Sequence, residues 1–360
     1  MFRQEARPTA VSSRPLFADY SPSPLNDAAV PPFPGRESDE EEDDARPSGA
    51  ELDYERAPAA WGPISPAESP VDAPLRFVDG SIQSRTVASI VVGFQRRPLI
   101  AAVISAASLD LEGRALHRGP ALRILKVLCL YANGIEEQHL LDARRALSAI
   151  GVKLLHSEAE VPQPDFDSLR RATRSIAMRA MEEAERHVLL ADTATPTLVD
   201  GLLERRLAGQ PQDLPFTGLV KRQMATYLPP GLQEVAYSLR PGERTPAFVL
   251  RTVQHVDLVN TYVRLSAQAG ASPTYGIVRV TAPLAYVQRA HALDVSEYLS
   301  GLAAYLYRLR HRDLAYARAG ISIEPIVRVE DHLHAVIPDI ETLIPKLHRL
   351  LQTGPQGGKW

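Results

Sequence analysis

The tripeptide Val-Asp-Gly occurs twice at the end of an apolar run, at residues 78–80 and again at 199–201, and this pair constrains the fold more than any other feature. The first copy lies in residues 75–94, LRFVDGSIQSRTVASIVVGF, which read as two strands with a carboxylate between them. Burying a lone charge beside a sheet is costly unless it is hydrogen-bonded or holds a metal. Gly80 removes side-chain bulk just after Asp79, so a backbone or a ligand can approach closely. The plainer alternative is a hairpin turn in which Asp79-Gly80 is ordinary turn chemistry. The second copy, LVDGL at 198–202, tips the balance, because two strands that each deliver Asp before Gly can set both carboxylates at one edge of a sheet. A divalent cation removes the repulsion between them, and a few carboxylates plus water suit Mg²⁺ or Mn²⁺.

A third ligand is expected from the helix between the two copies. On the row Ile176, Ala180, Glu183, His187, Glu183 lies on a largely apolar stripe and is preferred to Glu182. The surrounding pattern reads as strands at 75–83, 86–95 and 98–108 in an antiparallel meander, and an ambiguous segment at 121–131. Helices at 136–150 and 170–191 follow, then strands at 196–203 and 216–221. Further strands are expected at 248–253, 261–266 and 275–281, and helices at 294–318 and 339–351. Strands and helices interspersed in this way describe an α/β or α+β domain with a mixed sheet.

Charge separates the chain into unequal parts. Residues 1–74 hold 6 basic and 15 acidic residues, including the run 37–44, and 13 of the 30 prolines, a composition expected to leave a mostly disordered tail. Within it Phe17, Tyr20, Phe33, Tyr54 and Trp61 are candidate anchors on a partner or on the folded body. Residues 75–360 hold 34 basic and 28 acidic residues, so the ordered part is mildly basic, and an anionic partner is only weakly favoured. Cys129 is the single cysteine, which excludes an intrachain disulfide and a cysteine-type zinc site. Residues 1–10 lack the apolar core of a signal peptide, and no apolar run approaches the ~20 residues that cross a bilayer, so a soluble, cytoplasmic protein is expected.

The ordered set of motifs resembles the NurA nuclease family. The likeness rests on DGS at 79–81, a helix Glu followed by LVDGLL at 198–203, and GLVKR at 218–222. YVRL at 262–265, RVTAP at 279–283 and a late P-x-x-x-x-x-D-H-x-x-A-x-I at 325–337 complete it. It implies a ribonuclease-H-like core with a mixed sheet and flanking helices over residues 75–352, followed by a tail at 353–360. It also implies a metal-dependent DNA nuclease, an endonuclease on single strands and a 5′-to-3′ exonuclease, acting in end resection and double-strand break repair near the nucleoid. By the same resemblance, Asp79, Asp200 and Glu183 bind manganese, or magnesium in its place. His332, with Asp331 as its alternative, completes the site, Tyr262 lies beside it, and Lys221 neutralises a phosphate. Two cations ~3.5–4 Å apart would serve phosphodiester hydrolysis. The family pattern often has an acid where Thr281 stands and a Tyr where Glu324 stands, which bears on substrate contacts. No P-loop occurs, since Gly358-Lys359 meets the last residue. Translocation would need a separate motor, and the resemblance implies a homodimer docked on a HerA-like hexameric ATPase. A non-catalytic adaptor of the same fold, docking on an ATPase or DNA, is the alternative.

Overall fold

The computed structural model describes residues 14–25, 49–67, 73–159, 161, 165–221, 227–252, 256–268, 270–290, 294–313 and 319–353. Phe33, the acidic run and residues 354–360 lie outside them. Two short strands come first, β1 (Ser23–Pro24) and β2 (Ala50–Glu51). A long meander follows, of β3 (Arg76–Val92), β4 (Gln95–Glu112) and β5 (Ala115–Tyr131). Strand β3 does not break at Asp79-Gly80. Its ladder with β4 runs through Asp79↔Ala107 and Gly80↔Ala106, with one irregularity between Thr86 and Ala88, and turns at Gly93 with φ 60°. The sequence therefore misleads here, for the Asp-Gly pair is mid-strand. Gly80 is needed because a Cβ there would overlap the Glu185 carboxylate packed against it.

After β5 come α1 (Glu137–Ser148), β6 (Lys153–Ser157), α2 (Phe166–Leu189), β7 (Thr197–Asp200) and β8 (Phe216–Val220). Asp165 caps α2 by accepting from the Ser168 N–H at 2.7 Å. The chain continues through α3 (Pro230–Ser238), β9 (Phe248–Arg251), β10 (Asp257–Arg264) and β11 (Ile277–Pro283). It ends with α4 (Leu284–Ala290), α5 (Val295–Leu309), α6 (Glu324–Val336) and α7 (Ile344–Thr353). The helix expected at 294–318 thus stops at Leu309, and strand β6 and helix α3 carry too few periodic apolar residues to be read from sequence.

All the strands join one sheet in the order β2-β9-β10-β11-β8-β7-β3-β4-β5-β6, with β1 paired to β3. Strands β3, β4 and β5 are antiparallel, and β7 and β8 run parallel to β3 on its other side. Three antiparallel strands, the helix α2, and two strands parallel to the first make the ribonuclease-H-like core, with α1 and β6 inserted before α2 and β9, β10 and β11 extending the sheet. Helix α2 covers one face through Ala177, Met181, Ala184 and Val188, against Val78, Ile104 and Val199. The other face packs Phe77, Leu198 and Val280 on α5 and α6 through Leu299, Leu302, Ile326 and Leu333.

The two described N-terminal segments are seated on this body. Leu16 and Phe17 are buried with α7, and Tyr20 packs edge-on against His139. Trp61 is buried against Phe248, and the Tyr54 hydroxyl accepts from Gln288 at 3.3 Å. Glu55 accepts two 2.8 Å hydrogen bonds from the guanidinium of Arg244, which is 0% exposed. Burial alone would raise the Glu55 carboxyl; Arg244, Ser296 and the Ala247 N–H hold it below its ordinary value.

Candidate metal centre

Two strand ends and one helix build the site. Val78 of β3 lies beside Val199 of β7 in the parallel ladder, so the next residue of each strand brings Asp79 and Asp200 together. Helix α6 lays Glu330 over the same point. Ligand oxygens of Asp79, Asp200 and Glu330 lie within 4.8 Å of one another, and this trio is the one acidic cluster of its kind among the described residues. Asp79 is 1% exposed and its Oδ1 accepts from the Gly80 N–H at 2.8 Å, which fixes the carboxylate plane. Gly201, at φ 108°, turns the chain out of β7 where a side chain would be strained.

Lys221 follows β8, which is paired with β7. Its Nζ lies 2.7 Å from Asp200 Oδ2 and 3.9 Å from Glu330 Oε1, with the side chain 7% exposed. Carboxylates this close repel by roughly 3–4 kcal/mol per pair at an effective dielectric near 20. One ammonium offsets only part of that. Three hard oxygen donors with a net local charge of two minus fit a divalent cation of the Mg²⁺ or Mn²⁺ kind.

Behind the cluster, Glu185 of α2 is 1% exposed and forms an ion pair with Arg206. Arg206 also donates to the carbonyls of Leu202 and, at 3.4 Å, Asp200. Burial would lower that guanidinium, but Glu185, Glu182 and Asp200 raise it above its ordinary value. The pair thus braces both Asp-Gly segments, one through Gly80 and the other through the turn after Asp200.

Of the residues expected from sequence, Asp79, Asp200 and Lys221 meet; the others do not. Glu183 is exposed and pairs with Arg186 at 3.5 Å, and Glu182 pairs with Arg205 at 3.3 Å. The buried stripe of α2 is rotated from the row chosen, and the inward glutamate is Glu185. On α6 the inward carboxylate is Glu330, whereas Asp331 is exposed beside Arg328 at 3.2 Å and His332 is half-buried outside the cluster. A 100° turn per residue makes a one-position error change faces. The signal that finds Glu330 is its row, Ile326, Glu330, Leu333, Ile337, at steps of four and three. Tyr262 is a core residue, stacked on Phe248 at 5.7 Å, and burial pushes its phenol up to about 12. It sits three strands from β7, on the order of 14 Å.

Sheet order and centre together define a mixed α/β protein with a ribonuclease-H-like core and a three-carboxylate site. No family model matches the chain, and no curated protein matches it. Among solved structures, it is similar to the crystal structure of the NurA nuclease from Sulfolobus solfataricus at 13% identity, over 81% of this chain and 90% of that one, with a TM-score of 0.37. No described helix is long and apolar enough to cross a membrane.

Proposed function

We propose that this chain is a divalent-metal-dependent deoxyribonuclease. The observation that carries the reading is the convergence of Asp79, Asp200 and Glu330 within 4.8 Å, with Lys221 against them. When bound, manganese or magnesium would supply charge neutralisation at the scissile phosphate and a nucleophilic water at neutral pH. The three carboxylates would hold the ion. Lys221 keeps its ammonium at the same point, where it attracts and orients a phosphate oxygen. Gly80 and the Glu185–Arg206 pair keep the aspartates in place, so little reorganisation is needed when substrate arrives.

The sequence resemblance extends the proposal to single-strand endonuclease and 5′-to-3′ exonuclease action in end resection and break repair. It also extends it to a homodimer working with a HerA-like hexameric ATPase near the nucleoid. Purified Asp79→Asn and Asp200→Asn proteins should keep the wild-type circular dichroism and lose DNA cleavage in Mn²⁺ by on the order of 10²-fold or more. Full activity in both would remove the assignment. A wild-type protein that binds DNA yet never cuts it, with or without an ATPase and ATP, would instead make the chain an adaptor.

A further inference from the structure

The outer edge of the meander is open over much of its length. Strand β6 pairs with β5 only from Val127 to Tyr131, and among the described residues no strand pairs with that edge over 115–126. From Gly113 to Ile135 the sequence holds Arg114, His117, Arg118, Arg123 and Lys126, and no acidic residue. None of these five forms an ion pair with a described residue. Some arginines elsewhere are tied down, as Arg76 is to Asp110 and Asp192, and Arg244 to Glu55.

Register ties this edge to the carboxylates. Asp79 lies opposite Ala107, and Ala107 opposite Leu122, so Leu122 shares the face of Asp79 two strands away, roughly 10 Å. Arg118 is at the level of Phe77 through Leu109, and Lys126 at the level of Gln83 through Val103. Two cations therefore bracket Asp79 on its own face. Between them Leu122 and Ile124 are 50% and 37% exposed. Charges on an open edge also discourage pairing with another strand, but mixed signs would do that equally well. The single sign calls for an anionic occupant.

We propose that this edge of β5 is the track on which the sugar–phosphate backbone of a nucleic-acid strand lies as it enters the carboxylate centre. The proposal rests on the nuclease reading of that centre and names where its substrate is held. Arg118 and Lys126 contact phosphates, and Leu122 and Ile124 meet the sugars. No Phe, Tyr or Trp is present over 114–126 to stack on bases, so the track is indifferent to sequence.

The test measures binding of a fluorescein-labelled single-stranded oligonucleotide to the full chain by anisotropy, in EDTA so that nothing is cut, across a salt series. Arg118→Glu with Lys126→Glu should weaken binding roughly tenfold or more and lower the log–log salt slope by about 1 to 2. Arg118→Gln with Lys126→Gln should show a smaller loss, and Arg144→Glu with Arg145→Glu on α1 none. Wild-type affinity and slope in both edge variants, with wild-type melting, would overturn the proposal. So would an edge variant that changes only the sedimenting mass, since the edge would then join two copies of the chain. If the edge variants lose binding while the wild-type protein shows no metal-dependent cleavage, the track stands and the nuclease reading falls. If the wild-type protein neither binds nor cuts, both fall.

Discussion

Glu330 and Glu183 make the sharpest contrast at the level of single side chains. Both are helical glutamates near the aspartates in fold order, yet one points into the cluster and the other into solvent. Glu330→Gln should therefore cut metal-dependent cleavage by on the order of 10²-fold, whereas Glu183→Gln and Tyr262→Phe should leave it near wild type. A metal titration followed by calorimetry separates the same variants without any substrate: only Glu330→Gln should bind Mn²⁺ more weakly. Gly80 permits a second test. Gly80→Ala places a methyl group against Glu185, and relief by moving that carboxylate would disturb its pair with Arg206. A loss of about 1–3 kcal/mol in urea unfolding is expected, with cleavage falling alongside it.

Elements account for what could and could not be read in advance. The sequence already showed the sheet strands that carry the two aspartates, since their β-branched runs are bounded by recognisable turns. It misread β3 as broken because Asp-Gly is ordinarily a turn signal, and the glutamate filling the space above Gly80 is 105 residues away in the chain. The inward face of α2 was missed because α2 buries Arg170, Thr173, Arg174 and Glu185 along with its apolar stripe, so polarity does not mark its outer face, while α6 lies between the helices expected at 294–318 and 339–351. The same difficulty hid the Glu55–Arg244 clasp inside a proline-rich segment. Removing one member of a buried pair leaves the other charge stranded, at a cost on the order of 3–5 kcal/mol. Glu55→Ala should thus lower the stability of the whole body in a denaturant titration. The clasp also predicts acid sensitivity. The folded Glu55 carboxyl lies below its ordinary value of 4.5, so its contribution is complete above that value and is lost as the pH falls through the lowered one. Wild-type stability should fall faster than that of Glu55→Gln over this range.

Across the whole molecule, the two described N-terminal segments, docked at well-separated strands of the sheet, join the sheet and its cores. Strand β1 pairs with β3 at Ser23↔Ser89, and β2 with β9 at Ala50↔Leu250. Deleting residues 1–67 should lower the thermal midpoint and expose the apolar surface around Phe248 and α7. Dye binding to exposed apolar surface reads the second effect. The backbone hydrogen bonds of β3 and β7 align Asp79 and Asp200, and Lys221 already offsets part of their charge. A chelator should consequently leave the protein folded and competent to reload, unlike domains whose metal supplies their folding energy. Adding Mn²⁺ should raise the unfolding free energy gradually with the logarithm of its concentration, by about 2.7 kcal/mol at a hundredfold excess over the dissociation constant. The strand ladder makes the centre a socket built ahead of any ion, so under the proposed function a cell short of the metal would accumulate an idle protein rather than a misfolded one.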